Sequence, residues 1–334
     1  MKRLDHFWYA RSPWLVLLTP LSLLFRMLVA LRRFAYRHGL LRSHKLPVPV
    51  IIVGNITVGG SGKTPLVAWL ADYLREKGYR PGIVARGYGG NASSWPQQVR
   101  SDSDPAIVGD EAVLLAAMTG CPMAVAPDRF AAAMALVKYH DRDVVIADDG
   151  LQHYALQRDI EIIVIDGVRR FGAGFMLPAG PLREPVSRLR EADLVVTNGL
   201  GGGREYSMKL KSHTLRNLQD DSRTCQPDEF RQRRVHAVAG IGNPERFFQS
   251  LRQVLGNIET HAFPDHHHFT RQDISFDDAA PVLMTAKDAV KCRRFATGNE
   301  WYMPVTAELT GEFCARLDVL LDERVPLHPG SAGD

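Results

Sequence analysis

The chain has 334 residues, enough for about two domains, and its 45% hydrophobic and 23% charged residues are ordinary for a globular protein. Residues 1–45 hold nine of the 41 Lys and Arg and one of the 37 Asp and Glu, which leaves 32 basic and 36 acidic residues in the body. A body without excess positive charge predicts no nucleic-acid partner. Four widely spaced cysteines exclude zinc-finger spacing and a small disulfide framework.

The basic and apolar arm, residues 1–45, favours association with an anionic membrane surface. Its uncharged run at 12–25 is shorter than the roughly 20 residues that a membrane span needs. On a helical wheel after Pro20, apolar and basic side chains take opposite sides: Leu21, Leu24, Phe25, Leu28 and Leu31 against Arg26, Arg33 and Arg37. We therefore expect a helix lying in the membrane interface. The alternatives are a helix packed on the domain and a true span or signal peptide.

Residues 46–198 predict the core domain, because strand-like and helix-like segments alternate there. The predicted helices include one over about 63–77 and one that opens at “GDEAVLLAAM”. The predicted strands are near-continuous apolar runs: “VPVIIVGNI”, “PGIVARG”, “MAVA”, “DVVIADDG”, “IEIIVID” and “ADLVVTN”. Such runs are typical of a parallel sheet covered by helices on both faces, so we expect an α/β fold of the P-loop NTPase type.

The rest of the chain predicts a linker and a second domain. Glycines followed by polar alternation over 199–233 indicate the linker. Residues 234–325 predict a smaller α/β domain that ends in a helix over about 311–323, and 326–334 predict a disordered tail.

A glycine-rich turn, “GNITVGGSGKTP” at 54–65, lies between a predicted buried strand and a helix. This is the context of a phosphate-binding loop, in which backbone N–H groups and the helix dipole face the anion. Thr57 stands where the usual pattern has glycine, so the loop can form provided that Thr57 does not need a positive φ. Lys63 can contact the β- and γ-phosphates, and Thr64 can offer a hydroxyl to Mg²⁺.

Three acidic motifs predict the chemistry beside this loop. “VVIADDG” ends a strand at Asp148 and Asp149, a pair suited to hold Mg²⁺ directly or through water. “VGDEA” places Asp110 and Glu111 at a helix start, as caps or as a general base and metal contact. “FPDHHHF” at 263–269 predicts either a solvated turn or a His–carboxylate pair that takes a proton from a substrate hydroxyl.

The chain resembles the tetraacyldisaccharide 4′-kinases of lipid A biosynthesis in motifs that follow the family's order: “GNITVGGSGKTP”, “RGYGG”, “GDE”, “PDR”, “DDGLQH”, “PAGPLREP”, “FPDHH” and “TAKDAVKC”. The Thr57 form of the loop is the family's form. The resemblance implies that ATP, with Mg²⁺, phosphorylates the 4′-hydroxyl of an acylated glucosamine disaccharide 1-phosphate to give lipid IVA. It also implies a location at the cytoplasmic face of the inner membrane.

The resemblance further implies a role for each motif residue. Asp110 and His266 form the catalytic pair, with His267 and His268 as neighbours that leave the choice of histidine open. The remaining assignments are the nucleotide loop, Thr57, Gly59, Gly60, Ser61, Gly62, Lys63 and Thr64; the metal site, Thr64, Glu111, Asp148 and Asp149; and the nucleotide or substrate-phosphate contacts, Arg86, Tyr88, Arg129, His153 and Arg183.

Two other classes share such a loop. A regulatory GTPase or metal-insertion chaperone, with the three histidines as ligands, predicts an N/T-K-x-D guanine motif, but the chain has “TNGL” from Thr197. A membrane-partitioning ATPase without an acceptor predicts an early loop lysine that reaches across a dimer. That position is Val58 here, which disfavours this class.

Overall fold

The computed structural model describes residues 8–9, 13–212 and 214–325. The tail predicted to be disordered, 326–334, lies outside the described residues. Two sheets with helices packed on them form the body. The predicted α/β fold, with a parallel core sheet, a second smaller unit and an apolar amino-terminal helix, is confirmed.

The first two thirds of the chain contain these elements: α1 (Pro13–Arg37), β1 (Val50–Gly54), α2 (Lys63–Glu76), β2 (Pro81–Ala85), β3 (Gln97–Val99), α3 (Pro105–Val108), α4 (Asp110–Thr119), β4 (Met123–Val125), α5 (Arg129–His140), β5 (Val144–Asp148), β6 (Ile160–Asp166), β7 (Leu194–Asn198), β8 (Tyr206–Lys211) and β9 (Leu215–Asn217).

The remaining elements are β10 (Thr224–Cys225), β11 (His236–Ala239), α6 (Pro244–Leu255), β12 (Glu259–Ala262), β13 (Val282–Thr285), α7 (Ala286–Cys292), β14 (Glu300–Met303), β15 (Thr306–Leu309) and α8 (Gly311–Arg324). The larger sheet has the order β15-β8-β7-β6-β1-β5-β2-β4-β3, in which all pairs are parallel except those that add β15 and β3 at the edges. The smaller sheet has the order β10-β9-β14-β13-β11-β12, with four parallel strands from β14 to β12.

The central strands of the larger sheet are buried on both faces, as their β-branched runs predict. Successive side chains of β1 alternate between two cores: Ile51 and Val53 pack on one side, Val50 and Ile52 on the other. Because helices cover both faces of the sheet, only the loops at the ends of its strands reach the surface. The site can therefore form only at the ends of the strands.

The predicted linker and second domain differ from the structure at both ends. Strand β8, within the predicted linker, pairs with β7 in the larger sheet. Strand β15 and helix α8, within the predicted second domain, also belong to the first unit, where Phe313 and Leu317 are fully buried in its core. The chain thus crosses between the units twice, before β9 and after β14. The hydrophobic periodicity of the sequence does not show that the chain returns to the first unit, because β8 and β15 pair although they are almost 100 residues apart.

Helix α1 lies on the first unit with most of its leucines outward. Its inner contacts are made by Ser22, whose Oγ donates to the carbonyl of Met176 at 2.7 Å, and by Phe25 and Val29, which pack on the core. Leucines that share the outer side are about half exposed or more: Leu17, Leu21, Leu24, Leu28 and Leu31. The helix thus packs on the domain, but of the apolar side that the sequence predicts only Phe25 makes that contact. Residues 15–37 are also long and apolar enough to span a membrane by length and composition.

Candidate active site

A cleft of about 1270 Å³ lies between the two units. The larger sheet contributes the loops that follow β1, β2, β5, β6 and β7, and the smaller sheet those that follow β11, β12 and β13. Ligands of open α/β sheets bind beyond the carboxyl ends of parallel strands, and here two such edges face one another. The arrangement predicts a ligand held from both sides.

The predicted phosphate loop follows β1 and precedes α2. Positive φ angles occur within it at Gly59 (104°) and Gly62 (96°), and Thr57 has none, so the condition for the loop is met. Asn198, at the end of β7, donates from Nδ2 to the carbonyl of Ser61 at 3.2 Å. A Cβ at Gly62 would lie 2.8 Å from that Nδ2, so glycine is needed there for conformation and for space.

Asp148 and Asp149, at the end of β5, differ in acidity because their surroundings differ. Burial raises the pKa of Asp148 to about 7. Burial would also raise the pKa of Asp149, but Lys63 and Arg183 outweigh it and lower that pKa to about 2. Lys63 Nζ lies 3.4 Å and Arg183 Nη1 3.0 Å from Asp149 carboxylate oxygens. A further cation beside Asp148 would offset the cost of its buried charge.

Further basic groups line the same side of the cleft. Arg129 begins α5, is 7% exposed, and donates from Nη2 to the carbonyl of Asp149 at 3.1 Å. Burial, together with the nearby Arg129 charge, lowers the pKa of His153 to about 4, so its imidazole is neutral near pH 7. Arg86 follows β2 and also lines the cleft. Arg86 and Arg129 can therefore neutralise an anion at several points, and the neutral His153 adds no charge.

Asp110 and His266 meet across the cleft. Asp110 begins α4, whereas His266 follows β12 with a φ of 59°, and its Nδ1 lies 3.1 Å from Asp110 Oδ2. A carboxylate can only accept, so Nδ1 donates and, in the neutral imidazole, Nε2 carries the lone pair. The bond to Asp110 raises the pKa of His266 despite its partial burial. The ring of Tyr88 lies 5.2 Å from the His266 ring, between centroids.

Lys287, on α7 of the second unit, lies among acidic groups from both units. Its Nζ is 2.9 Å from Glu111 Oε1, 3.2 Å from Asp265 Oδ1, 4.0 Å from Asp110 Oδ2 and 3.5 Å from His266 Nε2. Burial would lower the pKa of Lys287, but the carboxylates outweigh burial and raise it. This ammonium therefore joins the units and also orders the surroundings of the His266 ring.

Buried polar atoms of the cleft without a hydrogen-bond partner among the described residues include Ser61 Oγ, Asp148 Oδ1 and Arg129 Nε. Buried polar atoms are nearly always satisfied. An acceptor-rich anion would satisfy the hydroxyl and the guanidinium, and a cation would satisfy the carboxylate. The donor set therefore fits a phosphate ligand with a divalent metal ion.

Comparison with known proteins connects this geometry to a family. The sequence model described as tetraacyldisaccharide-1-P 4′-kinase matches residues 14–322. The chain is 56% identical over 318 residues to the tetraacyldisaccharide 4′-kinase of Nitrosococcus oceani, covering 95% of this chain and 94% of the relative. It is 51% identical to that of Methylobacillus flagellatus, covering 96% and 98%. The chain belongs to the tetraacyldisaccharide 4′-kinase family.

A solved structure shows the same fold at lower identity. The crystal structure of the “apo” form of LpxK from Aquifex aeolicus in complex with ATP superposes with a TM-score of 0.79 at 30% identity, covering 93% of this chain and 99% of that one. The resemblance inferred from the motifs is therefore confirmed. Family membership selects a kinase over the GTPase, metal-chaperone and partitioning-ATPase alternatives.

The structure brings the predicted site residues together. Most of them line the cleft: Gly59, Gly60, Ser61, Gly62, Lys63, Thr64, Arg86, Tyr88, Glu111, Arg129, Asp148, Asp149, His153, Arg183 and His266. Thr57 and Asp110 are buried beside it. Of the three adjacent histidines, His266 contacts Asp110, whereas His267 Nε2 faces Asp273 Oδ2 at 3.3 Å and His268 is exposed.

Sequence reasoning missed four residues of the site. Lys287 lies within “TAKDAVKC” and has no predicted role, and Asp265 lies in “FPDHHHF”, the motif that predicts a His–carboxylate pair, but its contact with Lys287 is not predicted. Asn198 lies in “TNGL”, which the sequence uses only to disfavour a guanine site, but its side chain holds the phosphate loop. Arg246, on α6, donates from Nη2 to Asn198 Oδ1 at 3.3 Å across the cleft. A usable signal for Asn198 is its position at the end of the apolar parallel strand β7.

Proposed function

We propose that the protein transfers the γ-phosphoryl group of ATP to the 4′-hydroxyl of a tetraacyldisaccharide 1-phosphate, in the presence of Mg²⁺ and at the cytoplasmic face of the inner membrane. The observation that carries the proposal is the His266–Asp110 pair, which faces the cleft that also contains the phosphate loop. A base and a phosphate cradle on opposite units are the parts that phosphoryl transfer to an alcohol requires.

The loop and α2 bind the β- and γ-phosphates through backbone N–H groups and Lys63. Thr64, Glu111, Asp148 and Asp149 hold Mg²⁺, directly or through water, and the ion supplies neutralisation of the phosphate charge. The orphaned Oδ1 of Asp148 supports this assignment. Lys63 and Arg183 exchange their contact with Asp149 for phosphate oxygens when the nucleotide binds, because both side chains already face the cleft.

His266 acts as the general base. Its Nε2 takes the proton of the 4′-hydroxyl as the sugar oxygen forms a bond to the γ-phosphorus and the bond from that phosphorus to the bridging oxygen breaks, releasing ADP. Asp110 keeps its hydrogen bond to Nδ1, holds the required tautomer and stabilises the imidazolium that forms. Asp110 is only 5% exposed, so it orients the ring from behind and does not meet the substrate.

Anionic groups of the two substrates are bound by the basic side of the cleft. Arg86, Arg129 and Arg183 present forked donors that match phosphate oxygens. His153, neutral near pH 7, can both donate and accept, and Tyr88 adds an exposed ring beside His266. Closure of the second unit over the first then aligns the reactants and keeps water from the γ-phosphate.

Helix α1 explains how the enzyme meets a lipid. Burial of acyl chains in a bilayer is worth about 0.8 kcal/mol per CH₂, so a substrate with several chains stays in the membrane. The outward leucines of α1 provide an apolar surface, and Phe25, Val29 and Arg32 from its inner side also line the cleft. We infer a peripheral or monotopic enzyme whose cleft opens beside the bilayer surface.

The test is direct. Purified protein, Mg²⁺ and γ-labelled ATP are incubated with the disaccharide lipid in detergent, and the lipid is separated and counted. We expect label in the lipid and little free labelled phosphate. ATP hydrolysis that is unaffected by the lipid, with no labelled product, would contradict the proposed acceptor and support an ATPase.

A further inference from the structure

A second cluster of ligating side chains lies in the smaller sheet, on the paired strands β11 and β12. In their parallel register His236 is opposite Glu259 and Val238 is opposite His261, so two histidines and a carboxylate come together at the edge of the sheet. The side chain of His236 is 3% exposed, that of His261 23% and that of Glu259 45%. His236 and Glu259 begin their strands, His261 is the third of four residues in β12, and none of the three lines the cleft, so the cluster is separate from the phosphate site.

The ligand atoms lie close enough to share one ion. His236 Nδ1 is 3.0 Å from His261 Nε2 and 3.8 Å from Glu259 Oε2, and Glu259 Oε1 is 4.0 Å from His261 Nε2. Two nitrogen ligands of a tetrahedral Zn²⁺ lie about 3.3–3.4 Å apart, given metal–nitrogen bonds of about 2.0–2.1 Å. The histidine pair is already near that spacing. Glu259, the most exposed of the three, is the ligand farthest from that spacing.

The ring of His236 is held in the orientation that metal binding needs. Its Nε2 faces Asp278 Oδ1 at 3.0 Å, and a carboxylate can only accept, so Nε2 carries a proton. In the neutral ring the lone pair therefore lies on Nδ1 and faces the other two ligands. Phe276 stacks on the same ring at 3.8 Å between centroids. A metal-binding histidine typically donates its second N–H to a carboxylate in this way.

We propose that His236, His261 and Glu259 bind one divalent transition-metal ion of the Zn²⁺ class, with solvent completing the coordination. Imidazole nitrogen with one carboxylate favours Zn²⁺, Ni²⁺ or Cu²⁺ over Mg²⁺, so this ion differs from the one that accompanies the nucleotide. On binding, the proton of His261 Nε2 gives way to the metal and the ring adopts its Nδ1–H tautomer. No bond is made or broken in substrate.

One cation competes for this site. Arg234 donates from Nη2 to Glu259 Oε2 at 2.6 Å, and its Nη1 lies 3.1 Å from Asp278 Oδ2. The Arg234 side chain is 65% exposed, so it can leave Glu259 for solvent when a metal ion binds. Removing this guanidinium should strengthen metal binding, whereas removing a ligand should weaken it. These opposite signs distinguish a metal site from a structural ion-pair cluster.

Metal binding at this place would join β11 to the edge strand β12. The chain from β12 continues through 263–265 to His266, so the ion would also restrain the segment that carries the base. A ligand that binds only the folded state stabilises it by RT ln(1 + L/Kd), where L is the ligand concentration, so the unfolding temperature rises with the logarithm of that concentration once it exceeds Kd. We therefore expect micromolar Zn²⁺ to raise the unfolding temperature of the wild-type chain.

The experiment measures Co²⁺ and Zn²⁺ binding to the full chain in the presence of excess Mg²⁺. The probes are the visible absorption of Co²⁺ and competition of Zn²⁺ with a chromophoric chelator. We expect one ion per chain, at least about tenfold weaker binding in His261→Gln and Glu259→Gln, and about 10–100-fold weaker binding in Asp278→Asn. Arg234→Gln should bind more tightly than the wild type.

Two control variants locate the ion. His268→Gln, an exposed neighbour of the base, and His266→Gln, in the cleft, should both bind Zn²⁺ like the wild type. Equal binding by the wild type and His261→Gln, no binding by the wild type at micromolar Zn²⁺, or loss of binding only in His266→Gln would each overturn the proposal. All the changed side chains are partly or fully exposed, and the buried His236 is left intact, so folding is preserved.

Discussion

His266 Nδ1 lies 3.1 Å from Asp110 Oδ2, although the two residues are 156 positions apart and belong to different units. The pair exists only while the two units are in contact, because Asp110 is fixed at the start of α4 and His266 follows a strand of the smaller sheet. Assembly of the proposed base therefore depends on the closed arrangement of the units. If His266 acts as the base, this hydrogen bond couples catalysis to the contact between the units.

His266→Ala removes the proposed base and should reduce kcat by about 10²–10⁴-fold, since general base catalysis contributes in that range. KM for ATP should stay within a few-fold, because the phosphate loop is unchanged. Steady-state kinetics on detergent-dispersed lipid measure both, and His268→Ala is the matched control. Turnover of His266→Ala within a few-fold of the wild type would show that another group takes the proton.

The pH dependence of kcat/KM should report the Asp110–His266 bond. This bond raises the pKa of His266 above 6.5, and the base must be neutral to act, so activity should rise with pH through a midpoint above 6.5. Asp110→Asn removes the acceptor charge and should move that midpoint to lower pH, with a lower plateau. The charged pair itself is fully formed below pH 6.5 and is lost as pH rises through the raised pKa. An unchanged midpoint would show that Asp110 does not control the pKa of the base.

Lys287→Met should reduce kcat by about 10²-fold, because a displacement of about 1 Å at a reacting group has that effect. The change leaves Glu111, Asp265 and Asp110 without their shared ammonium. Lys287→Arg keeps the charge and should recover part of the rate, and Lys138→Met, an exposed lysine on α5, should match the wild type. If Lys287→Met and Lys138→Met behave alike, the lysine does not position the site.

The outward face of α1 should control membrane binding. Leu21→Glu with Leu28→Glu places two charges on positions that are each 53% exposed, so the fold is retained while the apolar surface is lost. Flotation with anionic phospholipid vesicles should show at least about tenfold weaker binding. Leu200→Glu, at an 84% exposed site, is the control.

Activity of the same variants separates two roles of the helix. The double variant should lose more activity on vesicle-embedded lipid than on detergent-dispersed lipid, as should deletion of residues 1–40. Equal losses on both substrates would show that α1 acts by supporting the fold through Ser22 and its neighbours.

Much of the fold could be predicted from short stretches. The strand–loop–helix unit around 54–65, the strand that ends at Asp148 and the closing helix α8 all form as their local patterns predict. The position of Lys287 could not be found in this way, because its ion pairs are with carboxylates on two separate segments, Asp110–Glu111 and Asp265. The same holds for Asn198, whose amide contacts a loop 137 positions earlier.

The sequence by itself determined the chemistry of the nucleotide side, because phosphate binding needs contiguous glycines, a lysine and a helix start that can be recognised in one stretch. Only the tertiary structure decided which histidine meets Asp110, which side of α1 faces outward, and that β15 and α8 return to the first sheet. These features depend on the order of strands and the contact between two units. Both arise from burial of apolar faces between segments that are far apart in the chain.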